Sequence, residues 1–349
     1  TGFVRYDDHQ DDEENHARKR KRLENKVQEF LDTLSEDDPL RLIFSSHINN
    51  GYDRTDGLAF RAPTSARGRG LIWLCIPALH GMSTPQQRTF AKQCELEAKA
   101  VQVVTGADIF VGTIFELRKK LAASRRAKSE DNRQDPLSQA FRWLHFIGHC
   151  SKDTFNGQVG LVNENKSGEQ EVLNEDTFVE MLTSLYVRDA PGSSSSAGDE
   201  EQLLKFVSLN ACQSLSLAKK LRGKGIAYVL CWETRCDGMA AKYLATVFFS
   251  MWFQNGFSEH HSFEEAKNFV QTMESSPNSV VEKFQFGEPR GPNQTPETGP
   301  PYTIGIPRLL SEEASAQSHT TSSSSSRSGP LGQIAAAAAQ ITLLVRGGG

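Results

Sequence analysis

The chain has 349 residues, 38% of them hydrophobic, and 39 Lys+Arg against 43 Asp+Glu give it a formal net charge of −4. A balance so close to neutral argues against a general nucleic-acid binder, whose affinity comes from cationic side chains set against phosphates. The longest apolar run, Leu71 to Leu79, contains Pro77 and falls far short of the roughly twenty residues a membrane span needs, so neither nucleic acid nor membrane is an expected partner.

The start of the chain is charged, first acidic (Asp7, Asp8, Asp11, Asp12, Glu13, Glu14) and then basic over Arg18-Lys19-Arg20-Lys21-Arg22. Leu23, Val27, Phe30, Leu31 and Leu34 follow at helical spacing, an apolar stripe that either packs on the core or continues an upstream helical array. The basic run reads as the solvated face of that helix, with a nuclear-import signal as the alternative. Residues 1–39 are therefore an N-terminal segment, and the opening Thr1 leaves room for domains upstream.

From Leu40 short β-rich runs alternate with helical patterns. Strands are predicted at Leu40–Ser45, Leu71–Ile76, Ile109–Val111, Trp143–Ile147, Phe206–Leu209 and Tyr228–Trp232. Helices are predicted at Pro85–Val104, Thr113–Ala123, Asp176–Tyr186 (capped by Asn174), Leu215–Arg222, Gly238–Gln254 and Phe263–Met273. Near-continuous apolar strands separated by helices imply a mostly parallel sheet covered on both faces, an α/β fold of the three-layer α/β/α sandwich type. Three stretches, 52–69, 125–136 and 187–201, read as insertions, the last with four consecutive serines. The sandwich is expected over 40–308, and 309–349, rich in Ser, Ala and Gly, as a disordered tail.

The six cysteines, at 75, 94, 150, 212, 231 and 236, show neither a Cys-x-x-Cys pair nor zinc-type spacing, and no secretory signal opens the chain. They read as reduced thiols of an intracellular, cytoplasmic protein. Neither a metal nor another cofactor is implied. There is no Gly-x-Ser-x-Gly elbow, no phosphate-binding Gly-x-x-x-x-Gly-Lys-Ser/Thr loop and no dinucleotide fingerprint after a strand, which disfavours those three enzyme classes.

Two predicted strand ends carry residues with chemistry. Trp143-Leu144-His145-Phe146-Ile147-Gly148-His149-Cys150 is an apolar strand ending in Gly-His. Phe206-Val207-Ser208-Leu209-Asn210-Ala211-Cys212 ends at a Cys just before a helix. Functional groups of open α/β sheets gather at the carboxyl ends of strands. If the two strands are parallel neighbours, His149 and Cys212 emerge together. A thiol is nucleophilic as thiolate, and an imidazolium or a helix N-terminus lowers its pKa. His149 would then protonate a leaving amine, while backbone amides of Gly148, Cys150 and Cys212 would hold an oxyanion. A separated His upstream of the Cys is the order of the caspase signatures.

These two blocks, Leu144–His149 and Leu209–Ser214, resemble the signature blocks of CHAT domains, caspase-like domains often found beside tetratricopeptide repeats. Gly157-Gln158-Val159-Gly160-Leu161 resembles the family's hairpin after the His. Leu217–Leu221 followed by Gly225–Trp232 resembles its helix, Gly turn and strand ending in Trp. Asp237 with Ala240 and Ala241, Phe248–Phe253, Gly256 and Ser262–Ala266 resembles its terminal helices. The resemblance covers about 70–275 and implies a caspase-like sheet and a Cys212/His149 dyad, in a clan of cysteine peptidases that includes caspases, separase and gingipains. It departs from the family at Cys150, where Gly is usual, and at Asp237, one residue later than the usual acid.

The reading is therefore a cysteine endopeptidase acting on protein or peptide substrates, with an upstream helical-repeat or activator protein as a further partner. Asn210, Trp232, Glu233 and Asp237 would form the substrate pocket, and either acid would favour a basic P1 side chain. For Asp237 a cap on the following helix is the alternative; Asn210 either borders the pocket or bonds the turn into the helix. His145 is read as structural or orienting, and His260 and His261 as exposed in a loop between helices. The rival functional reading is a catalytically silent or latent CHAT interaction module in a signalling assembly.

Overall fold

A computed structural model describes individual residues between 18 and 44, and 68–75, 85–112, 114–126, 141–148, 150–151, 160–164, 170–186, 204–253, 256–275, 288–289 and 302–311. Most of the three predicted insertions, Lys19, Arg20, Arg22 and Leu23 of the N-terminal segment, residues 157–159 and the tail from 312 lie outside the described residues.

In chain order the elements are β1 (Arg69–Cys75), α1 (Pro85–Thr105), β2 (Asp108–Val111), α2 (Ile114–Arg126), β3 (Phe141–Gly148), β4 (Cys150–Ser151), β5 (Gly160–Glu164) and β6 (Gln170–Asn174). They continue with α3 (Glu175–Tyr186), β7 (Phe206–Asn210), α4 (Leu215–Gly223), β8 (Tyr228–Trp232), α5 (Gly238–Phe253), α6 (Glu259–Ser275), β9 (Glu288–Pro289), β10 (Tyr302–Thr303) and β11 (Pro307–Leu310). Six strands form the main sheet in the order β11-β8-β7-β3-β1-β2. All neighbours in it are parallel except the edge pair β11–β8. Strands β4, β5 and β6 form a small antiparallel sheet.

Period-two alternation assigns the strand side chains to two cores. Leu71, Trp73, Cys75, Leu144, Phe146, Val207, Leu209, Val229 and Cys231 face α2, α3 and α4. Ile72, Leu74, Trp143, Ile147, Phe206, Leu230 and Trp232 face α1, α5 and α6. Both faces are thus covered, which is why β7 is buried at every position, and the architecture is the expected α/β/α sandwich. Helix α5 is buried without interruption from Ala240 to Phe253 because it lies between the sheet and α6. No helix among the described residues is long and apolar enough to cross a membrane.

Two boundaries differ from the sequence reading. Leu40, Arg41 and Phe44 are helical, not a strand. Leu40 and Phe44 are both buried, a spacing of one helical turn, and Asp38 accepts from the Leu40 amide at 3.0 Å. The N-terminal stripe packs on the core, the first of its two readings: Val27, Phe30, Leu31 and Leu34 lie in the same core as α1 and α5. Buried Lys242 pairs with Asp38 at 3.0 Å, and the Tyr243 hydroxyl donates to the same carboxylate. At the other end β11 carries the fold past 308, with Leu309 buried against the sheet. His260 and His261 lie in the first turn of α6, not in a loop, because the Ser258 hydroxyl caps the His261 amide at 3.2 Å. His260 is half-buried, 2.8 Å from the Ser311 hydroxyl.

Candidate active site

Strands β3 and β7 are parallel neighbours, with Ile147 opposite Asn210. Their carboxyl ends are therefore flush, and Cys212 follows at that edge. Gly148 closes β3 in a place only glycine fits: a Cβ there would stand 2.6 Å from the Cys75 carbonyl oxygen and from the Phe146 ring. His149, the next residue, lies outside the described residues. Cys150 begins β4 and is buried.

The turn from β7 into α4 is abrupt. Gln213 takes a φ of +53°, the only non-glycine residue in the left-handed region among those described. Its amide is held by the Thr234 carbonyl at 2.9 Å. The Ser214 hydroxyl is turned into the sheet, where it accepts from the Trp232 amide at 3.1 Å and donates to the Leu209 carbonyl. It therefore makes no side-chain cap on α4, and the positive end of that helix is left without one beside Cys212.

Cys212 is half-buried. Its sulfur accepts from the Cys236 amide at 3.4 Å and lies 3.7 Å from the Cys236 sulfur. The Cys236 thiol hydrogen bond, chiefly, lowers the Cys212 thiol to about 7 against burial; the Cys236 amide, the Arg235 guanidinium and its own amide add to the effect. Four other thiols, those of Cys94, Cys150, Cys231 and Cys236, move the opposite way. Burial pushes Cys150 up to about 12, with Glu175 and Cys212 adding repulsion. Burial also pushes Cys231 up to about 12 and raises Cys94. Cys236 rises well above its usual value because it donates to Cys212. A thiolate thus forms more readily at Cys212, just past the end of β7, than at those four.

The segment carrying Cys236 is braced from outside. The Glu233 amide donates to Ile306, the Asp237 amide to Ile304, and the Ile306 amide to the Thr234 hydroxyl. Gly305 takes a φ of +95°, and a Cβ on it would strike the Arg235 carbonyl.

Beneath the edge runs a buried polar chain. Glu97 of α1 accepts from Asn210 Nδ2 and lies 2.8 Å from His145 Nε2; His145 Nδ1 lies 2.9 Å from the Ser208 hydroxyl. The Trp232 indole donates to Asn210 Oδ1 at 2.7 Å. With His145 protonated at Nε2 every member has a partner: Ser208 donates to the ring and the ring donates to Glu97. Ser208, His145 and Glu97 have the residue types of a serine-hydrolase triad, but they are 1%, 0% and 3% exposed, so no substrate carbonyl reaches Ser208. Glu97 escaped the sequence reading. Its signal was present, since it occupies the apolar stripe of α1 between buried Cys94 and Val101.

Of the pocket residues, Asn210 and Trp232 are buried in this chain under Cys212, so Asn210 bonds neighbouring elements. Asp237 is 3% exposed and caps α5, accepting from the Met239 and Ala240 amides at 2.7 and 3.1 Å. Glu233 is half-buried at the surface and pairs with Arg308 at 2.7 Å. Among the described residues no group of three or more His, Cys, Asp or Glu could hold a metal ion. No model of a known protein family matches the chain, and neither does any curated protein.

Proposed function

We propose that the chain is a caspase-like cysteine endopeptidase of the CHAT type, carried by Cys212 and His149. The observation that supports this best is a half-buried thiol, lowered to about 7, at the carboxyl edge of β7 beside the end of β3. Cys212 thiolate attacks the scissile carbonyl and forms a tetrahedral adduct. Backbone amides of Gly148, Cys150 and Cys212 hold its oxyanion, and His149 gives a proton to the departing amine. Water then hydrolyses the thioester and restores the thiol. Glu233, at the surface in the segment that carries Cys236, is the acid that would meet a basic P1 side chain in place of its present partner Arg308, since Asp237 is buried as a helix cap. Six free cysteines suit an intracellular setting, and an upstream helical-repeat or activator protein is the expected partner.

One contact favours a second reading, a latent interaction module: the Cys212 sulfur is already engaged by Cys236. Profiling the full chain against a peptide library under reducing conditions, with and without cell extract as a source of activator, separates the two. Cleavage that is lost in both Cys212→Ala and His149→Ala supports the peptidase. Absence of turnover and of covalent capture by thiol-directed peptide probes overturns it.

A further inference from the structure

Two thiols face one another at the candidate nucleophile. The Cys212 and Cys236 sulfurs lie 3.7 Å apart, both residues are half-buried, and the Cys236 amide points at the Cys212 sulfur. The other four cysteines are buried; of these Cys75, Cys150 and Cys231 belong to the core on the opposite face of the sheet. Closing the gap to the ~2 Å of a disulfide falls to residues 233–237, which have no regular secondary structure and are anchored at Thr234 and Asp237, on either side of Cys236.

We propose that Cys212 and Cys236 form a reversible disulfide when the chain meets a peroxide, which masks the Cys212 sulfur. The bond stands on the placement of the two sulfurs; its effect on activity rests on Cys212 being the nucleophile. Cys212 thiolate attacks the peroxide, the O–O bond breaks, and one oxygen stays on sulfur as a sulfenic acid while the other leaves as hydroxide. Cys236 sulfur then attacks the sulfenic sulfur, and the S–O bond breaks. The Cys236 proton leaves with that oxygen as water, and the hydroxide becomes a second water by taking a solvent proton, replacing the one Cys212 lost on ionising. Two thiols are oxidised, one peroxide is reduced, and a dithiol reductant reverses the change.

Tryptic cleavage makes the test direct, because it separates Cys212 (peptide 206–219), Cys231 (225–235) and Cys236 (236–242). The full chain is treated with hydrogen peroxide, blocked with N-ethylmaleimide and mapped by mass spectrometry. The expected product is peptide 206–219 joined to 236–242, lost on reduction with dithiothreitol. In Cys236→Ser the link is absent and Cys212 proceeds to sulfinic acid. Sulfinic acid at Cys212 in the unaltered chain with Cys236 still free for blocking, or a link from Cys212 to another cysteine, overturns the proposal. Peptide cleavage is read in parallel. A link formed by a chain that cleaves nothing when reduced sinks the peptidase reading and leaves the disulfide standing. Cleavage by the reduced chain with no link after peroxide does the reverse.

Discussion

On one face of the sheet Leu71, Trp73, Leu144, Phe146, Val207, Leu209 and Val229 meet α2, α3 and α4 in a largely apolar core, in which the Trp73 indole donates to the Gly112 carbonyl at 2.8 Å. On the other face His145, Ser208 and Asn210 interrupt Trp143, Ile147 and Phe206 and join Glu97 and Trp232 in a buried polar chain. The same strands supply both faces by alternation, so the contrast comes from partners and not from position. An apolar face loses stability in proportion to the volume removed. A paired polar face loses it when one member is removed, whatever the volume, because the others are left buried without a partner. The polar face is also the one whose last strand residue, Asn210, leads into Cys212, so its rigidity sets where the thiol stands.

The largest effect is expected on the apolar face. Phe146 packs on Trp73 and Phe178, with ring centroids 4.8 and 6.5 Å away. Phe146→Ala should lower the unfolding free energy by about 4 kcal/mol, read from urea denaturation, and Phe146→Leu should recover most of it. On the polar face Glu97→Leu keeps the volume yet should cost about 3 kcal/mol, since His145 and Asn210 lose their shared acceptor. A near-neutral Glu97→Leu would erase the distinction between the faces. Asp237→Ala should cost about 1 kcal/mol through loss of the α5 cap, with the P1 preference of any cleavage unchanged. A changed P1 preference would return Asp237 to the substrate pocket. Glu233→Gln breaks a surface pair with Arg308 and should move stability by less than about 1 kcal/mol while weakening cleavage after basic residues.

The sandwich was legible because its strands are unusually plain. Trp143–Ile147, Phe206–Leu209 and Tyr228–Trp232 are short, apolar and bounded by polar or glycine-containing turns, and each is a strand of the main sheet. Leu40 to Phe44 misled, because a short apolar run carries no period of its own; tertiary burial of Leu40 and Phe44 made it helical. Strand β11 was missed because it is four residues long and opens on Pro307, a residue sheets accept only on an edge strand, at a strand's first position or at a bulge. Cys212 was legible as the end of a strand before a helix. Its partner Cys236 was not, since 24 residues separate the two and only the packing of β8 against β7 brings them together. Glu97 lies in the apolar stripe of α1, but its partners His145 and Asn210 are 48 and 113 residues away and meet it only through tertiary packing.

The reactivity of Cys212 toward iodoacetamide as a function of pH, followed on peptide 206–219, bears most directly on its being an activated nucleophile. The thiolate is the reacting form, so a lowered pKa moves the rise in rate to lower pH; a midpoint at about 7 is expected. In Cys236→Ala the thiolate loses its main hydrogen-bond donor and the midpoint should move up. A midpoint in the full chain near the ordinary thiol value of 9.0, unmoved by Cys236→Ala, would contradict the assignment.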